Sequence, residues 1–198
     1  MSPISEQGNF ESMSRIAIVY FSKTDVTEQL AKAIASGAKQ ESGITVFEHR
    51  IDGQEIIDGR FENAELFEQL KLCDAIIFGS PTYMGNVSAQ FKTFADASSD
   101  HWQRQEWAEK LAAGFTSGTG LNGDQSSSLQ YIATLASHHG MLWVNVDASY
   151  GSKDSTLNRL GCQLGALAQT TTNVAHDVDL ATAKHLGRRV AKLTLRLN

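Results

Sequence analysis

The 198-residue chain is poor in cysteine and proline, with two of each: Cys73 and Cys162, Pro3 and Pro81. Two isolated thiols with no CxxC partner exclude a disulfide scaffold and a zinc cluster; no metal site is expected, and the usage fits a reducing cytoplasm. Positive charge is also short, with 17 Lys and Arg against 22 Asp and Glu and a formal net charge of −5. That balance lacks the field that nucleic-acid binding or a polybasic membrane anchor requires, so any phosphate has to be held locally. No segment approaches the ~18 to 20 apolar residues of a membrane span. The first residues lack the basic start and apolar stretch of a signal peptide. No internal repeat is present. Against two prolines stand 16 glycines, so chain reversals fall to glycine and polar residues, and Pro81 is singled out within the folded body.

What is present is a hydrophobic content of 41%, enough for one sizeable core. Residues 1–14 are polar and read as a loose tail; residues 15–198 read as one domain. RIAIVYF (15–21) is an apolar run without alternation, the mark of a strand covered on both faces. A helix is predicted over 26–41, with Val26, Leu30 and Ile34 on one stripe and Asp25 with Glu28 at its start. Further strands are predicted at 44–50, 74–80, 110–116 and, as MLWVNVD, 141–147. Helical patterns fall at 62–72, 87–97, 126–138 and 180–197. Strands alternating with helices describe an α/β protein with a doubly wound, five-stranded parallel sheet in the order 2-1-3-4-5, since parallel neighbours need a crossover helix.

Such sheets bind ligands beyond the carboxyl ends of their strands, where the strand order reverses. Three loops are thereby selected. In the first, Ser22, Lys23, Thr24, Asp25, Val26 and Thr27 place hydroxyls where free N–H groups and the helix dipole favour an anion such as a phosphate monoester; the same residues would also serve as simple helix caps. In the second, Pro81, Thr82, Tyr83, Met84, Gly85 and Asn86 combine a fixed backbone angle, an aromatic face and a close-approach glycine, suited to a planar heteroaromatic ring. In the third, Ser117, Gly118, Thr119, Gly120, Leu121 and Asn122 present a row of backbone donors able to stabilise negative charge. GTGLNG (118–123) also matches the dinucleotide pattern GxGxxG, with Asp147 further on, but it follows three βα passes instead of opening the first. His138 and His139 precede Gly140 as dipole partners, packed residues or a ligand group. Trp102 and Trp107 lie in a polar insert, where they could line a pocket or an oligomer contact, with satellite packing as the default.

The segments IVYFSKTDVTEQLA, DAIIFGSPTYMGNVSAQFKTFAD, FTSGTG and TLASHHGM, in this order, resemble the flavodoxin-like FMN proteins. Within them the resemblance is greatest to WrbA-type NAD(P)H:quinone oxidoreductases and NADPH-dependent FMN reductases, and it spans about residues 15 to 145. It implies FMN as cofactor, with its phosphate on Ser22 to Thr27, its ring against Pro81 to Asn86 and its pyrimidine side on Ser117 to Asn122. It also implies that His139 reaches the flavin and that Trp102 lines the nicotinamide or quinone pocket. NAD(P)H is then the hydride donor, a quinone or similar small molecule the acceptor, and a homodimer or homotetramer the assembly. The flavin carries the chemistry, so no side chain need act as acid, base or nucleophile. The chain departs from the family at Asp25, where a glycine is usual, at Tyr83 and Met84, where Arg and Phe are usual, and at TTNVAHDVD, where a GDG segment is usual. A flavodoxin-type electron carrier without nicotinamide activity is the alternative. A phosphoacceptor receiver domain would need acidic residues where FSKT and FGSP stand.

Overall fold

The computed structural model describes residues 13–150 and 156–198. Most of the expected tail lies outside the described residues, but Ser14 does not belong to it: it is buried and opens the first strand. Strand β1 (Ser14–Tyr20) leads to helix α1 (Val26–Ala38) and strand β2 (Ile44–Arg50). Helix α2 (Ala64–Lys71), strand β3 (Ala75–Tyr83), helices α3 (Ala89–Ala97) and α4 (Ser99–Gln103), strand β4 (Leu111–Gly118) and helix α5 (Gln125–His138) follow. Two short strands, β5 (Leu142–Trp143) and β6 (Ala166–Gln169), precede the closing helix α6 (Asp177–Leu197).

The sheet is parallel in the order β2-β1-β3-β4, with β5 beside the start of β4 and β6 beside its end. The apolar run of β1 is used on both faces. Ile16, Ile18 and Tyr20 pack under α1 and α6, whereas Ala17 and Val19 face α2 and α3. The second face carries an aromatic cluster in which Phe67 and Phe94 stack at 5.5 Å. Trp107 lies fully buried in it, so this residue of the polar insert is main core and not a satellite.

Two sequence expectations are corrected. The third strand does not stop at Pro81 but runs on to Tyr83, with Pro81 opposite Ser117 of β4. Proline is tolerated there because β1 pairs β3 only as far as Gly79, so the missing N–H lies beyond the ladder on that side. The fifth strand is not the continuous 141–147. Only Leu142 and Trp143 pair with β4, and Ala166–Gln169 takes the rest of the edge. The diversion is built around small residues: the Trp143 indole donates to the Leu164 carbonyl at 3.0 Å, and a Cβ on Gly165 would fall 2.3 Å from the Gly114 carbonyl oxygen. The ALAQ run is too short and weakly patterned to read as a strand from sequence.

Helices α1 and α6 cross through reciprocal glycines. A Cβ on Gly37 would fall 1.9 Å from the Lys184 carbonyl oxygen, and one on Gly187 would fall 2.0 Å from that of Ile34. No side chain fits without separating the helices. Gly187→Ala is therefore expected to destabilise by about 1–3 kcal/mol through overpacking, despite the ~1 kcal/mol that alanine gains in helix propensity. Urea unfolding monitored by circular dichroism measures the sum; unchanged stability would mean that this crossing tolerates a wider spacing.

Candidate functional site

At the carboxyl ends of β1, β3 and β4 the three loops selected from sequence converge on one cleft of about 200 Å³. Its lining takes Thr24 and Val26 from the first loop, Pro81, Thr82 and Tyr83 from the second, and Ser117, Gly118 and Thr119 from the third. Parallel pairing causes this convergence, because it puts every strand-to-helix turn at the same edge of the sheet.

The first loop is shaped by Asp25, which sits at the N-cap of α1 with φ 63°. Only glycine takes that left-handed region freely, and Asp is among the residues that tolerate it best. The Asp25 carboxylate makes no capping bond to the helix. Buried Ser22 accepts from the Glu28 N–H at 3.2 Å, and buried Thr27 meets Ser117 Oγ at 2.8 Å, tying the first loop to the third. Lys23 is exposed. Arg50, not selected from sequence, donates to the Ser22 carbonyl at 2.7 Å and pairs with Glu28 at 2.5 Å. It could have been found from the parallel register, which sets Arg50 beside Tyr20 and hence beside the turn that follows β1.

The second loop is a tight hairpin in which Tyr83 pairs with Asn86 around Met84 and Gly85, at φ 48° and 77°. Two consecutive positive φ values belong to a primed turn, in which Met84 is the uncommon residue. Its side chain is fully exposed, Tyr83 is 40% exposed, and Asn86 turns outward to bond the Val87 N–H. Burial on its inner side pushes the Tyr83 phenol up, so it is neutral at physiological pH. Below the hairpin, Thr82 Oγ1 lies 2.9 Å from Thr116 Oγ1 and 2.8 Å from Ser128 Oγ, while Thr116 Oγ1 donates to the Ser80 carbonyl at 2.7 Å. This chain of hydroxyls holds β3, β4 and α5 in fixed relation.

The third loop is braced from behind by buried Gln125, whose Nε2 donates to the Gly120 carbonyl at 2.8 Å while its Oε1 accepts from Gly123 N–H at 3.1 Å. A Cβ on Gly118 would meet Gln125 Nε2 at 2.6 Å, so the glycine is required by packing. Leu121 and Asn122 project outward, away from the lining of the cleft. A fourth wall, Thr170 to Asn173 after β6, was missed because β6 was missed. It is stapled to α1 by Gln29, which donates to the Asn173 carbonyl at 2.8 Å and accepts from Ala175 N–H at 3.0 Å.

The dinucleotide reading of GTGLNG fails on place and on partner. The segment opens α5, the later crossover, and Asp147 is tied to His185 and Arg189 instead of facing the loop.

Trp102 and His139 are not brought to the cleft. α5 begins at the third loop and ends at His138, so its 14 residues carry His139 roughly 20 Å toward the opposite end of the sheet. There Trp102, His138 and His139 line a separate cavity of about 310 Å³ with Tyr131 and Leu135. His139 is 1% exposed, stacks on Trp107 at 4.2 Å and shares a 2.9 Å hydrogen bond between Nε2 and Ser98 Oγ. Its Nδ1 has no partner. Sequence adjacency to a motif does not say at which end of a helix a residue lies.

Among the described residues no carboxylate, lysine or histidine lines the cleft. Its residues can hold a ligand by hydroxyl and amide donors and an aromatic edge, and the arrangement offers no acid–base pair. Residues 15–155 match the family of NADPH-dependent FMN reductases. The chain is 37% identical to flavodoxin FldP of Pseudomonas aeruginosa over 94% of this chain and all of that protein. It is 34% identical to an NAD(P)H dehydrogenase (quinone) of Archaeoglobus fulgidus, over 93% of this chain and all of the relative. A flavodoxin, WrbA-like protein from Agrobacterium tumefaciens superimposes with TM-score 0.75 at 36% identity, covering 93% of this chain and 99% of that one.

Burial, then the nearby charges of His101 and His138, lowers the His139 pKa to about 4. The folded chain thus keeps it neutral where the unfolded chain, with a pKa near 6.5, takes up a proton. Stability is full above the unfolded value and falls as pH drops from about 6.5 toward 4, by up to about 1.4 kcal/mol per pH unit from this group. His139→Gln is expected to flatten the stability profile between pH 6.5 and 5, measured by denaturant unfolding at each pH; a profile parallel to that of the parent would show that His139 does not titrate on unfolding.

Proposed function

The chain belongs to the NADPH-dependent FMN reductase family of flavodoxin-like proteins, and from that membership we propose that it passes hydride from NAD(P)H to a quinone-type or similar small acceptor with FMN as cofactor. The observation that carries the proposal is the single cleft into which the Pro81–Tyr83 segment, Ser117–Thr119 and the start of α1 all open. The residues fit the cofactor. The lining is hydroxyl-rich, and Gly118 is packed so tightly against Gln125 that the loop can present only backbone there. FMN held by these residues would supply the hydride chemistry between the nicotinamide and the acceptor.

The protein's part is placement and field. Ser22, Thr24 and Thr27, with the N-terminus of α1, are assigned to the phosphate. Pro81 to Tyr83 would lie along the ring, and the Ser117 to Gly120 backbone would donate to its polar edge, where negative charge grows on reduction. Because the hydroxyl chain Thr82–Thr116–Ser128 ties β3, β4 and α5 together, those donors need little rearrangement as charge develops. Among the described residues Tyr83 is the one aromatic in the lining, and Met84 points fully into solvent, an arrangement that would suit a ring face open to nicotinamide and then acceptor.

The second reading, an electron carrier, is favoured by the 37% identical relative named a flavodoxin. Protein reconstituted with FMN separates the two. The enzyme reading expects retained yellow flavin and steady NAD(P)H oxidation with benzoquinone and no partner protein. Retained flavin without that oxidation supports the carrier, and absence of flavin retention overturns both.

Trp102 and His139 remain assigned to the flavin and acceptor pocket only through assembly, with the cavity end of one copy set against the cleft of another. A homodimer or homotetramer is therefore expected in sedimentation, and Trp102→Ala should raise the KM for acceptor severalfold while FMN affinity holds. A monomer with full turnover would remove both residues from the site.

A further inference from the structure

The first loop has no surplus of positive charge where it is assigned a doubly negative ligand group: its lysine, Lys23, is outnumbered by Asp25 and the adjoining Glu28. Asp25 and Glu28 flank it in a chain whose net charge is already −5. Glu28 is met by Lys32 at 2.7 Å as well as by Arg50, and these cations, Lys32 foremost, hold its carboxyl below the usual range. Among the described residues Asp25 makes one ion pair, with Arg50 at 3.5 Å, and Lys32 acts on it only at longer range. The same guanidinium spends its other end on the Ser22 carbonyl at 2.7 Å. Arg50 thus joins, in one planar fork, the backbone of the loop and both of its carboxylates, a geometry that lysine's single ammonium cannot reproduce.

Resting on the FMN reading above, we propose that Arg50 is a positioning residue for the cofactor phosphate: it offsets the Asp25 charge and clamps Ser22, so that loop hydroxyls and amides are left to meet the phosphate. Arg50 is exposed enough to do this without being part of the core, and it stands at the end of an edge strand. Glycine at position 25 would accept φ 63° without strain and without charge. Arg50 is accordingly needed because Asp25 is there, and the two substitutions should be coupled.

The test compares FMN with riboflavin, which has the same ring but no phosphate, by quenching of flavin fluorescence. Arg50→Met should raise the Kd for FMN about thirtyfold and Arg50→Lys by less, while riboflavin Kd changes less than about twofold, since only a charged group feels the uncompensated carboxylate. In an Asp25→Gly background the same Arg50→Met change should cost FMN less than about fivefold. Equal losses for FMN and riboflavin, an unchanged FMN Kd, or an undiminished loss in the Asp25→Gly background would each overturn the inference while leaving the FMN reading intact. A parent protein that binds neither flavin would overturn that reading instead.

Discussion

Parallel strands cannot be joined by tight turns, and this constraint organises the molecule. Each connection from β1, β3 and β4 must leave the sheet through a helix and return at the far end. Every strand-to-helix turn therefore falls on one edge, and helices α1 and α5 start there with their positive ends. Because both faces of the sheet must then be covered, β1 is apolar at consecutive positions instead of alternate ones. The same constraint separates the two cavities. Helices that begin at the cleft end away from it, so whatever follows them, Trp102 after α3 and the histidine pair at the end of α5, collects at the opposite edge.

A cleft on loops would be soft unless the loops were bonded to one another, and here the bonding is almost wholly by small hydroxyls and amides. Thr27 reaches Ser117, Thr82 reaches Thr116 and Ser128, Gln125 spans Gly120 and Gly123, and Gln29 spans Asn173 and Ala175. Each bond contributes about 1 kcal/mol in isolation, but a half-made buried network costs more than none. The members therefore fix one another's rotamers and aim the remaining donors into the cleft. The short hydroxyl side chains suit this task, since they give up less rotamer entropy when ordered than the two glutamines do.

The strands read at 15–21 and 44–50, each within one residue of the observed bounds, most of the helices and the three loops were legible because each rests on a local signal: an unbroken β-branched run, a 3.6-residue stripe, or small polar residues at a strand's end. The split fifth strand was not legible. VNVD continues the apolar pattern of MLW, yet the Val144 N–H makes the last bond to β4, at 2.7 Å to the Ala112 carbonyl, and Val146 packs into the core after the chain has left the ladder. What replaces them, ALAQ, is selected by the space between Gly114 and Gly165, which has no local signature. The Thr170–Asn173 wall was lost with it. Arg50 was overlooked for another reason: its role comes from register across two strands, and a strand's last residue carries no mark of what its neighbour's loop will hold. For Trp102 and His139 the residues alone left several roles open and the resemblance supplied the flavin and substrate ones, and resemblance does not say whether a residue serves its own chain's site.

Both helices that open at the cleft use one device. Asp25 and Asp124 sit at their N-caps in the left-handed region, at φ 63° and 59°, and neither carboxylate caps its helix. An ordinary Asp N-cap has extended backbone and folds its carboxylate over the first N–H groups, satisfying them and closing the helix to other anions. Left-handed backbone costs roughly 1–2 kcal/mol for a residue other than glycine, and it aims the carboxylate elsewhere. The strain is spent on the helices that follow the first and third loops, while α2, and α3 behind the hairpin, are capped in the usual way by Asn63 and Ser88. The contrast within one chain separates helix ends closed by their own N-cap side chain from helix ends that are not, α1 having its Glu28 N–H met from Ser22 in the loop instead.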